Sequence, residues 1–242
     1  MRYSRAQLLE NRARRAQRDR LHRRHGYDSR RAIRLVLSLA RPLAGRVLEI
    51  GTGKGRFLVE LARLAQRVVT VDKDAAEQGF ARLNAADAGV SRGIRFVIAD
   101  GADLPFPARS FDAVVSMNAL HHIRDHRSVI GEMLRVLKPG GKIVLADFDA
   151  KGFRIFDRVH ASEGRIHERR PYRWDGIAAR LRRAGWRIRR ARGENTEVLL
   201  GEGRATRDVS RLRAPWRPDG TCRTRSPSGR SCAGSPSARR PA

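Results

Sequence analysis

Three glycines at alternating positions, Gly51, Gly53 and Gly55, follow the apolar run Val47-Leu48-Glu49-Ile50, with Glu49 two places before the first of them. A turn this rich in glycine leaves backbone N–H groups free and lets a ligand come closer than any Cβ permits. Its flanks read as strand and helix, a setting that holds a dinucleotide, a nucleoside triphosphate or another adenosine-bearing cofactor. The spacing narrows the choice. A nicotinamide-type G-x-G-x-x-G needs its third glycine one residue beyond Gly55, and a P-loop needs a four-residue spacer with Ser or Thr after Lys54. Two carboxylates end the next β-like runs. Asp72 closes VVTVD, across the crevice from the glycine turn, where it can accept both hydroxyls of a ribose. Asp100 closes FVIAD, where it can accept from an adenine amino group, and Gly101 and Ala102 can offer backbone N–H to the ring.

The elements that must position these residues are legible as alternating short apolar runs and helical stretches. RVLEI at 46–50 precedes a helix over 55–66, and RVVTV at 67–71 precedes one over 75–88. IRFVI at 94–98 is followed by a loop, and FDAVVSM at 111–117 by a helix over about 126–137, then KIVLADF at 142–148. Continuous apolar strands alternating with helices predict an α/β fold, a doubly wound parallel sheet covered on both faces. A helix over 175–184 leads to WRIRRARG and TEVLLGEG, which read as an antiparallel pair closing one edge. Upstream, Ile33, Leu35, Val36, Leu37 and Leu39 predict a short buried helix ending at Arg41-Pro42.

The charge sits mostly at the ends. Of a formal net +27, residues 1–34 hold twelve Arg against Glu10, Asp19 and Asp28, and residues 204–242 hold ten Arg against Asp208 and Asp219. Such a balance admits a nucleic-acid partner through phosphate neutralisation, or reflects arginine-rich solvated faces. The chain divides into a basic N-terminal extension at 1–26, a domain at 27–202, and a basic tail at 203–242 whose Ser, Pro, Gly, Thr and Arg composition predicts disorder. The two cysteines, Cys222 and Cys232, lie in that tail and make no disulfide framework. With no apolar leader and no run long enough to span a bilayer, the chain is expected to be soluble and cytoplasmic, with no membrane insertion.

The string from Val47 to Phe148 resembles the class I S-adenosylmethionine-dependent methyltransferases, particularly the small-molecule group typified by ubiquinone and menaquinone methyltransferases. ExGxGxG at 49–55, the acidic strand end at Asp72, DGADLPFPARSFD at 100–112, LHH at 120–122 and RVLKPGG at 135–141 match in order and spacing. The resemblance implies a Rossmann-like sheet of seven strands, mostly parallel with an antiparallel last strand, and S-adenosyl-L-methionine as cofactor. It sets Glu49 and the turn Gly51, Thr52, Gly53 and Gly55 against the amino-acid end of that cofactor. Asp72 would hold the ribose with the Lys73 stem beside the adenine, Asp100, Gly101 and Ala102 would read the adenine edge, and Met117 and Asn118 would sit near the sulfonium.

The resemblance also implies that the segment at about 150–173 caps the substrate. There His160, Glu163 and His167 fall at i, i+3 and i+7, one face of a helix if the helix survives Gly164, and with His122 they are the candidate catalytic residues. The spacing is not HExxH, and no metal is assigned. Asp147 and Asp149 are further acceptor-side candidates. The acceptor implied is a small molecule. The alternative is an RNA methyltransferase that uses its basic termini on the phosphate backbone. Against it, SMNALHH follows the fourth strand where an Asn/Asp-Pro-Pro-aromatic motif would stand, and the core holds no cysteine for cytosine-C5 chemistry. A nicotinamide-binding oxidoreductase or a non-catalytic adenosine-binding module is the rival from another class.

Overall fold

A computed structural model describes residues 3–203. The tail expected from 203 onward lies, apart from Gly203, outside the described residues. Seven strands form one sheet: β1 (Arg46–Ile50), β2 (Arg67–Asp72), β3 (Ile94–Ile98), β4 (Phe111–Met117), β5 (Leu137–Phe148), β6 (Arg187–Gly193) and β7 (Thr196–Glu202), in the order β3-β2-β1-β4-β5-β7-β6. The first five pair in parallel, and β7 runs antiparallel to both β5 and β6. This is the Rossmann-like sheet with an antiparallel last strand. The start of β5 differs from the run expected at 142–148. Leu137 pairs with Phe111, the register then shifts, and the ladder resumes at Ala113 and Lys142.

Successive strand residues point to opposite faces, so a strand covered on both sides must be apolar throughout. Val47, Val68, Val115, Val144 and Leu200 join one core with α2 (Ser29–Ala40), α3 (Arg56–Leu64) and α6 (Ala150–Ala161). Leu48, Val69, Val114, Leu145 and Leu199 join the other with α5 (His126–Val136) and α7 (Trp174–Arg183). The outer strand β6 presents Arg187, Arg189, Arg190 and Arg192, a charged edge that discourages pairing with another chain. No helix among the described residues is long and apolar enough to cross a membrane.

The segment expected as a basic extension is built into the fold. Helix α1 (Arg5–Arg24) lies against α4 (Ala75–Asp87) and α6, with Asn11, Asp19 and His22 buried. Asn11 donates to Asn84 at 2.9 Å, Arg12 pairs with Asp87, and the carboxylate of Asp19 holds the largely buried Arg56 guanidinium. The boundary expected between 26 and 27 therefore does not divide the packing. These contacts are polar, which is why apolar periodicity gave no sign of them.

Candidate active site

Strand order reverses between β1 and β4, and a parallel sheet leaves a crevice at that point beyond its strand ends. A cavity of about 540 Å³ lies there. Gly51 and Gly53 line it from the turn after β1, Asp72 and Lys73 from the end of β2 and the residue beyond it, and Asp100, Gly101 and Ala102 from the loop after β3. Asn118, Ala119 and His122 close it from beyond β4, and Glu77 reaches it from α4. The structure thus gathers Gly51, Gly53, Asp72, Lys73, Asp100, Gly101, Ala102 and Asn118 around one space. The other four residues assigned to the cofactor, Glu49, Thr52, Gly55 and Met117, are buried and do not line it.

The three glycines answer to different neighbours. All have positive φ, a conformation that side chains resist. A Cβ on Gly51 would stand 2.4 Å from the Cβ of Ala119, and one on Gly55 would stand 2.7 Å from the Cβ of Ala81 on α4. A Cβ on Gly53 would meet no protein atom within 4 Å. Two glycines therefore serve close packing within the protein, and Gly53 alone leaves room on the pocket side.

Beneath this turn lies a small buried polar network. Thr52 and Thr70 share a hydroxyl hydrogen bond of 2.6 Å, Thr70 donates to Glu49, and Gln78 donates to Thr52 and to the carbonyl of Val97. Burial pushes the Glu49 carboxyl up to about 8, against the pull of the Thr70 hydroxyl, with Asp72 adding to the rise. Glu49 therefore sits beneath the turn, its carboxyl held to Thr70 and pushed above the usual carboxylate range. Asp72 accepts from the N–H of Gly53 at 2.7 Å and of Asp74 at 3.0 Å, which aims its carboxylate at the pocket mouth with lone pairs to spare. Asp100 accepts from the N–H of Ala102 at 2.8 Å, so that N–H, expected to reach an adenine ring, is already in use.

Beyond β4, Asn118 holds a left-handed backbone (φ 54°), rare for a residue with a side chain. Its Nδ2 meets the hydroxyl of Tyr27 at 3.3 Å, while its Oδ1 is buried with no hydrogen-bond partner. Tyr27 is wholly buried, and burial lifts its hydroxyl to about 12. It lies outside every motif, and no residue pattern marks its place beside Asn118.

His121 and His122 follow in a single 3-10 turn. Asp147, expected on the acceptor side, is fully buried and holds His121 through its backbone N–H (3.0 Å) and Nδ1 (2.7 Å). Asp149 instead caps α6, accepting from the N–H of Gly152. The helix expected to carry His160, Glu163 and His167 on one face stops at Ala161, and Gly164 (φ 66°) reverses the chain. His167 then folds back so that its ring centre lies 4.6 Å from that of His160, 5.2 Å from His121 and 6.1 Å from His122. Glu163 does not join this group. It sits on an exposed turn, where burial raises its carboxyl but Arg18 and Arg165 outweigh that and hold it at about 2. Burial and the neighbouring histidines bring His122 down to about 4. His160 and His167 are lowered too, chiefly by burial, so these imidazoles are neutral at pH 7.

Residues 48–145 match the family model described as a methyltransferase domain. The demethylmenaquinone methyltransferase of Deinococcus radiodurans is 38% identical over 116 residues, 47% of this chain and 47% of that protein. The demethylmenaquinone methyltransferase of Clavibacter sepedonicus is 42% identical over 110 residues, 44% of this chain and 43% of that one. The 27-O-demethylrifamycin SV methyltransferase of Amycolatopsis mediterranei is 38% identical over 105 residues, 43% of this chain and 38% of that one. The chain thus spans about half the length, or less, of the curated relatives it matches. Two solved structures share the fold at low identity. An O-methyltransferase family protein from Burkholderia thailandensis has a TM-score of 0.58 at 19% identity, over 73% of this chain and 56% of that one. The cyclase SpnF has a TM-score of 0.59 at 21% identity, over 73% and 81%.

Proposed function

We propose, from the methyltransferase domain matched by residues 48–145, that the protein moves a methyl group from S-adenosyl-L-methionine to a small-molecule acceptor. The observation that carries this reading is the single cavity that joins the open space at Gly53, the carboxylates of Asp72 and Asp100, and the imidazole of His122. These residues fit the cofactor. Gly53 leaves room for its amino-acid end, Asp72 accepts from its ribose, and Asp100 from its adenine. The cofactor, when bound, supplies an electrophilic methyl on a sulfonium.

Displacement at such a methyl is governed by alignment, so the protein's task is to hold donor and acceptor in line. Asn118 fixes the pocket wall at the end of β4. His122, neutral at pH 7, is placed to take a proton from the acceptor through a free ring nitrogen, with His160 and His167 behind it. Two relatives are named for demethylmenaquinone and for 27-O-demethylrifamycin SV, which supports a small molecule as acceptor. Nothing specific favours RNA, and on α1 the residues Arg12, Arg14, Arg15 and Arg18 are already paired with carboxylates. A cytoplasmic setting fits the confinement of both cysteines to the tail.

Calorimetric titration of the purified chain with S-adenosyl-L-methionine and with NAD is the first test, and binding of the former alone is expected. Incubation of cell extract with methyl-labelled cofactor should then put label in a small-molecule fraction that nuclease treatment leaves unchanged. Absence of cofactor binding would overturn the reading, and nuclease-sensitive label would move the acceptor to nucleic acid.

A further inference from the structure

His121, His122 and His167 each present one ring nitrogen, and these three atoms lie within 4.8 Å of one another. Two of the rings are held from behind by carboxylates. Nδ1 of His121 bonds to Asp147 at 2.7 Å, and Nδ1 of His167 bonds to Asp157 at 3.1 Å. A neutral imidazole has one donor and one acceptor. The tautomer that gives Nδ1–H to the carboxylate leaves Nε2 of His121 and of His167 with a lone pair available to a ligand. A carboxylate behind a histidine is also the device that fixes the tautomer and raises the basicity of a metal-bound ring.

We propose that His121, His122 and His167 form a binding site for a divalent transition-metal ion of the zinc class, with a fourth position open towards the pocket that His122 lines. Imidazole ligands select such ions over magnesium or calcium, and three histidines with an open position are the pattern of a reactive centre, in contrast to the four ligands of a structural one. A metal–nitrogen distance of about 2.0–2.1 Å places tetrahedral ligands about 3.4 Å apart, so nitrogens within 4.8 Å of one another must draw in by up to about 1.4 Å. His122, exposed on its outer side, is free to make that movement. The open position takes an oxygen or nitrogen donor, either water or the acceptor itself. Ligand spacing along the chain does not reveal this site, because His167 is returned to the other two only by the reversal at Gly164.

The site shares His122 with the cofactor cavity, so metal and cofactor are titrated separately. The full chain, with Cys222→Ser and Cys232→Ser to remove thiol ligands, is stripped with chelator and titrated with Co²⁺ by visible absorption and with Zn²⁺ by calorimetry. One ion per chain is expected, with cobalt bands that Zn²⁺ abolishes. His122→Ala, at an exposed ring and so safe for the fold, and His167→Gln should each weaken Zn²⁺ by at least about tenfold. Asp157→Asn should weaken it about 10–100-fold, and His25→Ala should leave it unchanged. No stoichiometric ion in the parent, or an affinity that survives both His122→Ala and His167→Gln, would overturn the proposal. An S-adenosyl-L-methionine titration of each sample shows separately whether the methyltransferase reading stands.

Discussion

Gly53→Ala separates ligand space from protein packing. The added Cβ meets no protein atom within 4 Å, so its cost to the fold is the left-handed backbone at φ +47°. That conformation costs an alanine about 1–2 kcal/mol, and at about 2–4 °C per kcal/mol for a domain of this size Tm should fall by about 2–8 °C. In the bound state the methyl group competes with ligand, and overfilling a packed site costs about 1–3 kcal/mol, or about 5–150-fold in Kd. Gly55→Ala should do the reverse. Its Cβ would lie 2.7 Å from the Cβ and 2.9 Å from the Cα of Ala81, so backbone must move, and the fold should lose about 2–5 kcal/mol. Gly53→Asn, whose side chain tolerates the left-handed region, should recover stability without recovering affinity. Differential scanning calorimetry and isothermal titration measure the two quantities on the same samples. If Gly53→Ala binds S-adenosyl-L-methionine within about twofold of the parent, or loses as much Tm as Gly55→Ala, the division of roles among these glycines is wrong.

Asp72→Ala should weaken cofactor binding by about 1–3 kcal/mol, since the ribose loses a charged acceptor, and unchanged calorimetric affinity in a folded variant would remove Asp72 from the site. Asp19→Ala leaves the buried Arg56 guanidinium unpaired and should cost about 2–4 kcal/mol in urea unfolding. Arg14→Ala, which breaks an exposed pair with Glu10, should cost less than about 0.5 kcal/mol; equal effects would mean that α1 is not integral to the domain. Glu49 holds its proton to about pH 8 when folded against 4.5 unfolded, so the unfolded chain ionises first and this carboxyl removes stability as pH rises through that window. Glu49→Gln should therefore gain on the parent from about pH 4.5 to 8 and gain no more above it, and a constant difference from about pH 5 to 9 would contradict the assignment.

The sheet was legible because burial on both faces demands unbroken apolar runs, and those runs stand out between polar connections. In the structure Asp28, Asp74, Asp125 and Asp149 each cap the helix that follows, accepting from its first free N–H groups. That Gly53, Asp72, Asp100 and Asn118 share one cavity was legible for a related reason. They sit at strand ends, where chain direction and strand order fix their place. Thr52 and Gly55 are buried away from the cavity, because a run of five turn residues cannot present every member to one space. The helix over Arg5–Arg24 docks through Asn11, Arg12 and Asp19, and polar docking leaves no periodic trace. The histidine group was out of reach for another reason. Its geometry depends on where α6 ends, and the sequence left open whether the helix would pass Gly164.

The reversal of strand order between β1 and β4 also bears on how the chain is made. Val47 pairs with Ala113 and Glu49 with Val115, so β2, α4 and β3 all intervene between the two walls of the cavity. A growing chain that has left the ribosome only as far as Ile98 has the glycine turn and Asp72 but lacks the wall that Asn118 and His122 provide. Closing that long loop is an entropic cost met once β1, β2 and β3, three of the seven strands, have been made. Ligand can then act only on the finished sheet, as a clasp that stabilises the folded chain by mass action. Its binding energy enters the rate of coming apart, and the rate of first assembly is left to the sequence alone.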